Sequence, residues 1–543
     1  MELTVEAAPE RPCEDSDASA VAPTPRCTTA HPSSASQVAR YLIFTLCAAI
    51  YLLPFMRLVF VGDEGTLIVG AVRILHGEVF ARDFFEVIGP GTFYSLAAMF
   101  KLFGATFFVV RMWLFLTSLG TLLAMYFLSR RVSARYQTLP AILLVGVYFS
   151  TLWPMVNHHV DSNCFALWSV VCMVLWQDLR KTVLLFAAGA LAGVTTCILQ
   201  PKGLLLLLAF CVWLWVQQRR TSALPRSIAL VVGGSLCVVG CTMLYFWSQG
   251  ALWDLIYMNF VWPNHNYGSL NAIPYGRGIF LFWNHWAFPI HGVRWLIPLA
   301  IILTFPFVLV AALPALVPIL GIAHGKGNLR PVILLYWLCA WAFWLSEIHR
   351  RDLAHLISGS PLLLILCAYF LLEYRGKVAT LLLQLLAISA VGLATVNLFM
   401  VLSAKGTPTR AGTVTMFEPN AAIAFIDSHI ARGTEIFVYP YGPMYYFLTA
   451  TTNPTRYSLL LYNYNTPSQF QDAIQVLDQH RVRYVLWDTT FERKAAPYFS
   501  SEMDHPAGGL RMEPYLESHY KVVQDFDGVR IMERKEDDRA AKR

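Results

Sequence analysis

"FVGDEGTLIVGAVRILHGEVFARDFFEVIGPG" (residues 60–91) closes an apolar block and at once sets down two adjacent carboxylates, Asp63 and Glu64. Some forty residues pass before the next apolar block near residue 106. Within them, "GTLIVGAVRILHG" carries polar or small residues at 66, 70, 73 and 77, with Ile68, Ala71, Val72 and Leu75 on the other side. That 3.6-residue period predicts a helix lying in a membrane interface. A second such element, "GTFYSLAAMFKLFG" (91–104), has Pro90 before it and Gly104 at its end. Two surface helices therefore follow the carboxylates, and the stretch reads as a platform at a membrane face.

The rest of the chain supplies the membrane. Of its 543 residues 56% are hydrophobic and 14% charged, against about 25% charged in soluble domains. The apolar residues come in blocks of about 20, enough for a helix to cross about 30 Å of hydrocarbon. Eleven spans are read, at about 41–62, 106–129, 138–156, 163–177, 182–199, 203–217, 227–248, 295–322, 331–346, 356–373 and 378–403. The even-numbered connections hold twelve Lys or Arg and two acids, whereas the odd-numbered ones hold eight bases and nine acids. Basic short loops stay cytoplasmic, which predicts a multi-pass protein of the plasma (inner) membrane with its N-terminus in the cytoplasm and Asp63 outside.

Three regions follow. Residues 1–40, rich in Ala, Ser, Thr and Pro, read as a disordered cytoplasmic tail. Residues 41–403 form the transmembrane domain. Residues 404–543 regain charges, with strand patterns at 435–442, 482–490 and 528–535 and helix patterns at 419–433 and 466–481, a small extracytoplasmic α/β domain. Its 16 bases and 17 acids argue against a nucleic-acid surface. All cysteines precede residue 368, so this domain holds no disulfide of its own.

The acid pair after the first span, "ILHGEVFARDFF" at the end of the first surface helix, "GPGTFYSLAAMFKLFG" as the second, and Arg111 soon afterwards resemble GT-C glycosyltransferases, especially the ArnT, protein O-mannosyltransferase and RgtA-like group. The resemblance covers the order of elements over about 41–403. It implies an α-helical polytopic fold with two external juxtamembrane helices, and an inverting transfer of a hexose or pentose from a polyprenyl-phosphate donor to a lipid, glycan or protein acceptor on the non-cytoplasmic side. It also implies Asp63 as the base that deprotonates the acceptor hydroxyl, with Glu64 as its neighbour or a metal ligand. Such chemistry needs a carboxylate near the hydroxyl and cations near the leaving phosphate. The plainer reading is that the two acids are solvated or cap the following helix.

Other side chains on the same face have two readings each. Arg350, Arg351 and His355, ahead of a Pro-containing span, match the group's basic stretch for the donor phosphate, or form a wetted loop. Lys202 stands in a tight external hairpin, touching phosphate or snorkelling to the interface. Arg111, about a turn inside the second span, pairs with an acid or a lipid headgroup. "NHHVDSN" (157–163) offers His158, His159 and Asp161 for a divalent metal ion, for sugar hydrogen bonds, or as a polar loop; no metal-spacing motif stands elsewhere, so no cofactor is assigned. The aromatic and Asn-rich stretch 253–286 lids the site or forms an aromatic belt. Two other classes compete. A transporter should show intramembrane breaks and related halves, which are not evident, and a scaffold with an exported partner-binding domain leaves the acid pair and its two helices unexplained.

Overall fold

The computed structural model describes residues 34–59, 62–133, 138–147, 155–268, 271–279, 297–323, 330–374, 376–416, 420–462, 464–495 and 512–536. The chain divides into two compact units, residues 1–44 and residues 45–543. The described part of the first unit is the beginning of helix α1 (Ser34–Leu52), so helix starts within the stretch expected to be a disordered tail; residues 1–33 lie outside the described residues.

In the second unit the apolar blocks become helices α4 (Phe107–Val132), α5 (Leu139–Val147), α6 (His158–Leu179), α7 (Val183–Ile198), α8 (Gln200–Gln218), α9 (Leu224–Ser248), α10 (Ile297–Ala323), α11 (Pro331–Glu347), α13 (Pro361–Tyr374) and α14 (Lys377–Ser403), counting α2, α3 and α12 as introduced below. With α1, these eleven match the eleven expected blocks. Seven of them are long and apolar enough to cross a membrane, and α7, α11 and α13 are shorter apolar helices. The chain is an integral membrane protein. Where α7 crosses α9, small residues let the backbones meet: a Cβ on Gly189 would stand 1.8 Å from the Val231 carbonyl oxygen, and one on Gly234 2.2 Å from that of Phe186. Such close crossings gain packing contacts that lipid cannot offer.

The platform is present as α2 (Glu64–Leu75) and α3 (Pro90–Phe103), but α2 does not float on an interface. Its residues from Glu64 to Ala71 are all buried, the polar side as well as the apolar one. The reason is a partner that local periodicity does not reveal, since α2 is sandwiched between α3 and α16 (Met444–Thr449) of the C-terminal domain. Phe80, Phe84 and Phe93 pack the loop between α2 and α3, with ring centroids 5.0 to 6.0 Å apart.

That domain begins with an antiparallel hairpin, β1 (Lys405–Thr409) and β2 (Gly412–Met416). It continues through α15 (Ala421–His429), β3 (Ile436–Tyr439), α16, α17 (Pro467–Gln479), β4 (Tyr484–Asp488), α18 (Met512–His519), β5 (Tyr520–Phe526) and β6 (Val529–Arg534). The four-stranded sheet has the order β3-β4-β6-β5, with β3 parallel to β4 and the other neighbours antiparallel. Helix α17 starts on a capping box between Thr466 and Gln469 and buries Phe470, Ala473 and Leu477 against Phe437, Val485 and Leu516. Each large apolar side chain so buried contributes roughly 1.5–3 kcal/mol. The hairpin, β5, α16 and α18 went unmarked by the sequence patterns.

Candidate functional site

Asp63 and Glu64 part company at the first residue of α2. The Asp63 side chain makes no cap hydrogen bond to the helix; its carboxylate is exposed and accepts a hydrogen bond from the Tyr441 hydroxyl at 2.7 Å. Glu64 points the other way, into the protein, fully buried. Its oxygens accept both guanidinium arms of Arg111 at 2.6 and 2.7 Å and the Val156 amide at 2.8 Å. The expectation that both carboxylates stand at the mouth is corrected: Glu64 and Arg111 form a buried bidentate pair, and only Asp63 faces out. For Arg111 the pairing with an acid is what the structure shows.

Around Asp63 gather residues from three distant stretches. Glu86, in the loop before α3, accepts a hydrogen bond from Ser458 of the C-terminal domain. Burial, with a smaller contribution from the charge of Asp63, pushes the Glu86 carboxyl up to about 8. The same field, after burial, reaches the hydroxyls of Tyr267, Tyr441 and Tyr464 and raises each above its usual range. Phe85, Trp262, Tyr464 and Tyr267 make one aromatic wall, with successive centroids at 5.2, 4.8 and 6.0 Å. Thus the aromatic stretch after α9 has two faces. Trp262 and Tyr267 pack at the site, while Trp253 and Tyr257 are exposed. Residues 269–270 and 280–286 of that stretch lie outside the described residues.

Tyr267 also feels Arg350, Asp352 and Glu347, which opens onto a second cluster. Asn157 caps α6 by accepting from the Val160 amide at 2.8 Å, and this places His158 and His159 in the first turn. Glu347, the last residue of α11, is fully buried and pairs with His159 Nδ1 at 2.8 Å and Lys202 Nζ at 2.7 Å. Lys202 also donates to Asn163 Oδ1 at 2.6 Å and Ser162 Oγ at 3.1 Å, so one carboxylate and two hydrogen-bond acceptors surround its charge. Lys202 is therefore buried and paired at the start of α8, and reaches neither the interface nor an exposed phosphate position. The four rings of His158, His159, His355 and His349 follow one another at 4.0, 4.6 and 5.5 Å.

Helix α12 (Leu353–Ser358) follows, capped by Asp352, whose carboxylate takes the His355 amide at 3.1 Å and His355 Nδ1 at 2.7 Å, and pairs with Arg350 Nε at 2.5 Å. Although burial opposes it, His355 and Arg350 hold Asp352 well below the usual carboxylate range. Arg350 is further held by Asn271 at 2.9 Å, while the Arg351 side chain is exposed. Asp161 belongs to neither cluster. It is fully buried and held by Thr92 at 2.8 Å and Trp113 at 3.0 Å, joining α3, α4 and α6. The grouping of Asp161 with the two histidines as ligands is thereby corrected: as the fourth residue of α6 it turns toward the helix's other neighbours. Among the described residues no three His, Cys, Asp or Glu side chains are arranged to hold a metal ion.

The sequence reading missed Glu86, Tyr267, Glu347, Tyr441 and Tyr464. Glu347 had a local signal, an acid closing an apolar run, and Glu86 was a further carboxylate in the opening stretch. Tyr441 had none, being 378 residues from its partner.

No protein-family profile and no curated protein matches the sequence. Solved structures that match the fold include two of ArnT. The crystal structure of ArnT from Cupriavidus metallidurans bound to undecaprenyl phosphate aligns with TM-score 0.54 and 14% identity, over 92% of this chain and 98% of that one. The apo structure of ArnT from the same organism gives 0.52 and 13% over the same shares. Over 92% of its length this chain accordingly shares the fold of those ArnT structures.

Proposed function

We propose that this protein moves a hexosyl or pentosyl group from a polyprenyl-phosphate donor to an acceptor hydroxyl on the non-cytoplasmic face, with inversion at the anomeric carbon. The observation that carries the reading is the separation of the acid pair: Glu64 is consumed by Arg111, and Asp63 is left exposed beside a tyrosine-lined wall. A carboxylate in that setting serves as general base. In the step, Asp63 takes the proton of the acceptor hydroxyl, whose oxygen forms the new bond to the anomeric carbon. The bond from that carbon to the phosphate oxygen breaks, and its electron pair leaves on polyprenyl phosphate. Arg351, exposed in the chain just before α12, is the cation that would meet that charge. ArnT crystallised with undecaprenyl phosphate supports a donor of this class. The charge bias of the connections supports a cytoplasmic N-terminus and an exported C-terminal domain in the plasma (inner) membrane.

The test is transfer in reconstituted vesicles, read as undecaprenyl phosphate released from a panel of undecaprenyl-phosphate-linked hexoses and pentoses, with a membrane extract as acceptor. Asp63→Asn keeps shape but is a poor proton acceptor, so turnover should fall by roughly 10² to 10⁴. Unchanged release would end the catalytic role of Asp63. Reporter fusions at Arg220 and Gly433 should report opposite sides of the membrane, and same-side signals would overturn the orientation.

A further inference from the structure

The C-terminal domain touches the platform at one chemically pointed place. Its loop Tyr439–Pro443 brings the Tyr441 hydroxyl to 2.7 Å from Asp63 Oδ1 and 3.5 Å from Thr66 Oγ1. The approach is built into α2: a Cβ on Gly65 would lie 2.3 Å from the Met444 amide nitrogen and 2.8 Å from its Cα, backbone atoms with nowhere to go. The loop is also fixed from behind. Val438 donates its amide to the Tyr446 hydroxyl at 2.9 Å, Leu460 donates to the Pro440 carbonyl at 2.9 Å, and Phe491 packs edge-on against the Tyr441 ring at 5.7 Å. Burial, and after it the charge of Asp63, keeps this hydroxyl protonated and so a donor.

We infer that Tyr441 is a positioning residue for Asp63, holding one carboxylate oxygen so that the other is presented to the acceptor, and that the C-terminal domain thereby completes the site. This rests on the glycosyltransferase reading above. A carboxylate with no cap bond to its own helix is otherwise free to turn about its side-chain torsions, and loose placement of a base lowers turnover. Simple docking of the domain does not need Tyr441. Arg73 reaches the Thr455 carbonyl at 2.8 Å, Arg456 reaches those of Ala81 and Arg82 at 3.2 and 2.9 Å, and Phe85 packs on Tyr457.

The experiment is a double-mutant cycle with the full chain in vesicles, using the undecaprenyl-phosphate sugar that the wild type turns over. Tyr441→Phe should lower kcat by roughly tenfold to a hundredfold, the usual loss for a hydrogen bond to a charged group, with donor KM within about twofold and thermal stability near wild type. In the Asp63→Asn background the same change should cost almost nothing, because the carboxylate it places is gone. An equal fold-loss in both backgrounds, or an unchanged kcat while Asp63→Asn is inactive, overturns the positioning role alone. Full activity of Asp63→Asn overturns the functional reading and this inference together. Gly65→Ala, which drives the loop off α2, should reproduce the kcat loss with donor KM preserved; a normal kcat there counts against the inference.

Discussion

Two settings of charge share this molecule. In one, Glu64–Arg111 and Lys202–Glu347–His159 lie among the helices, their side chains almost wholly out of water, each charge set against an opposite one or a histidine. In the other, Asp63 and Arg351 stand exposed at the ends of elements, with most of their bonding capacity facing solvent. The buried set is committed to partners inside the protein and joins α2 to α4 and α8 to α6 and α11. The open set is available to a substrate. Equal charges therefore do opposite work, and the difference is how much of each group the fold has already used.

Breaking a buried pair should have the largest effect. Glu64→Gln leaves the Arg111 guanidinium buried without its counter-charge, which costs about 3–5 kcal/mol, enough to strip folded protein from detergent extracts. Replacing both partners at once, Glu64→Leu with Arg111→Met, should recover most of the loss. Asp63→Asn in the same melting experiment should move the transition little. If Glu64→Gln and Asp63→Asn melt alike, the contrast between the two settings fails.

A smaller effect is expected at the open cation. Arg holds a phosphate with two parallel bonds and Lys cannot, so Arg351→Lys should weaken donor affinity several-fold in a vesicle assay. Arg432→Lys, on the C-terminal domain, should leave it unchanged. Equal affinities remove Arg351 from the donor site.

The smallest is a pH dependence at Glu86, which lies between the two settings, close to Asp63 but withdrawn from water. Its folded carboxyl titrates near 8, above its ordinary value of 4.5. Between those values the folded state keeps a proton that the unfolded chain releases, so this group makes stability fall as pH rises toward about 8. Glu86→Gln should flatten the melting temperature across that window. An unchanged slope in the variant would mean that Glu86 is ionised and paired instead.

Much of this was legible locally. Apolar blocks of membrane-crossing length, the two platform helices with Pro90 and Gly104 at the ends of the second, and the capped amphipathic helix from Pro467 are short-range patterns, and they fold as written because backbone hydrogen bonding and burial act over a few residues. Even the pairing of Arg111 with an acid follows from the cost of an unpaired charge inside a span. The assignment of Asp63 rather than Glu64 to the solvent side depends on which way α2 rolls, and that is set by α3, α4 and the C-terminal domain packing on it. Periodicity showed an amphipathic helix at 65–77 but not that the C-terminal domain packs on it through α16. Nor could spacing bring Ser458 to Glu86, or Tyr441 to Asp63. Composition and local pattern determined the apolar blocks, the platform and the small C-terminal α/β domain. Only tertiary packing decided which charges are spent on one another and which remain to meet a substrate, because a carboxylate's chemistry depends on neighbours that the chain delivers from hundreds of residues away.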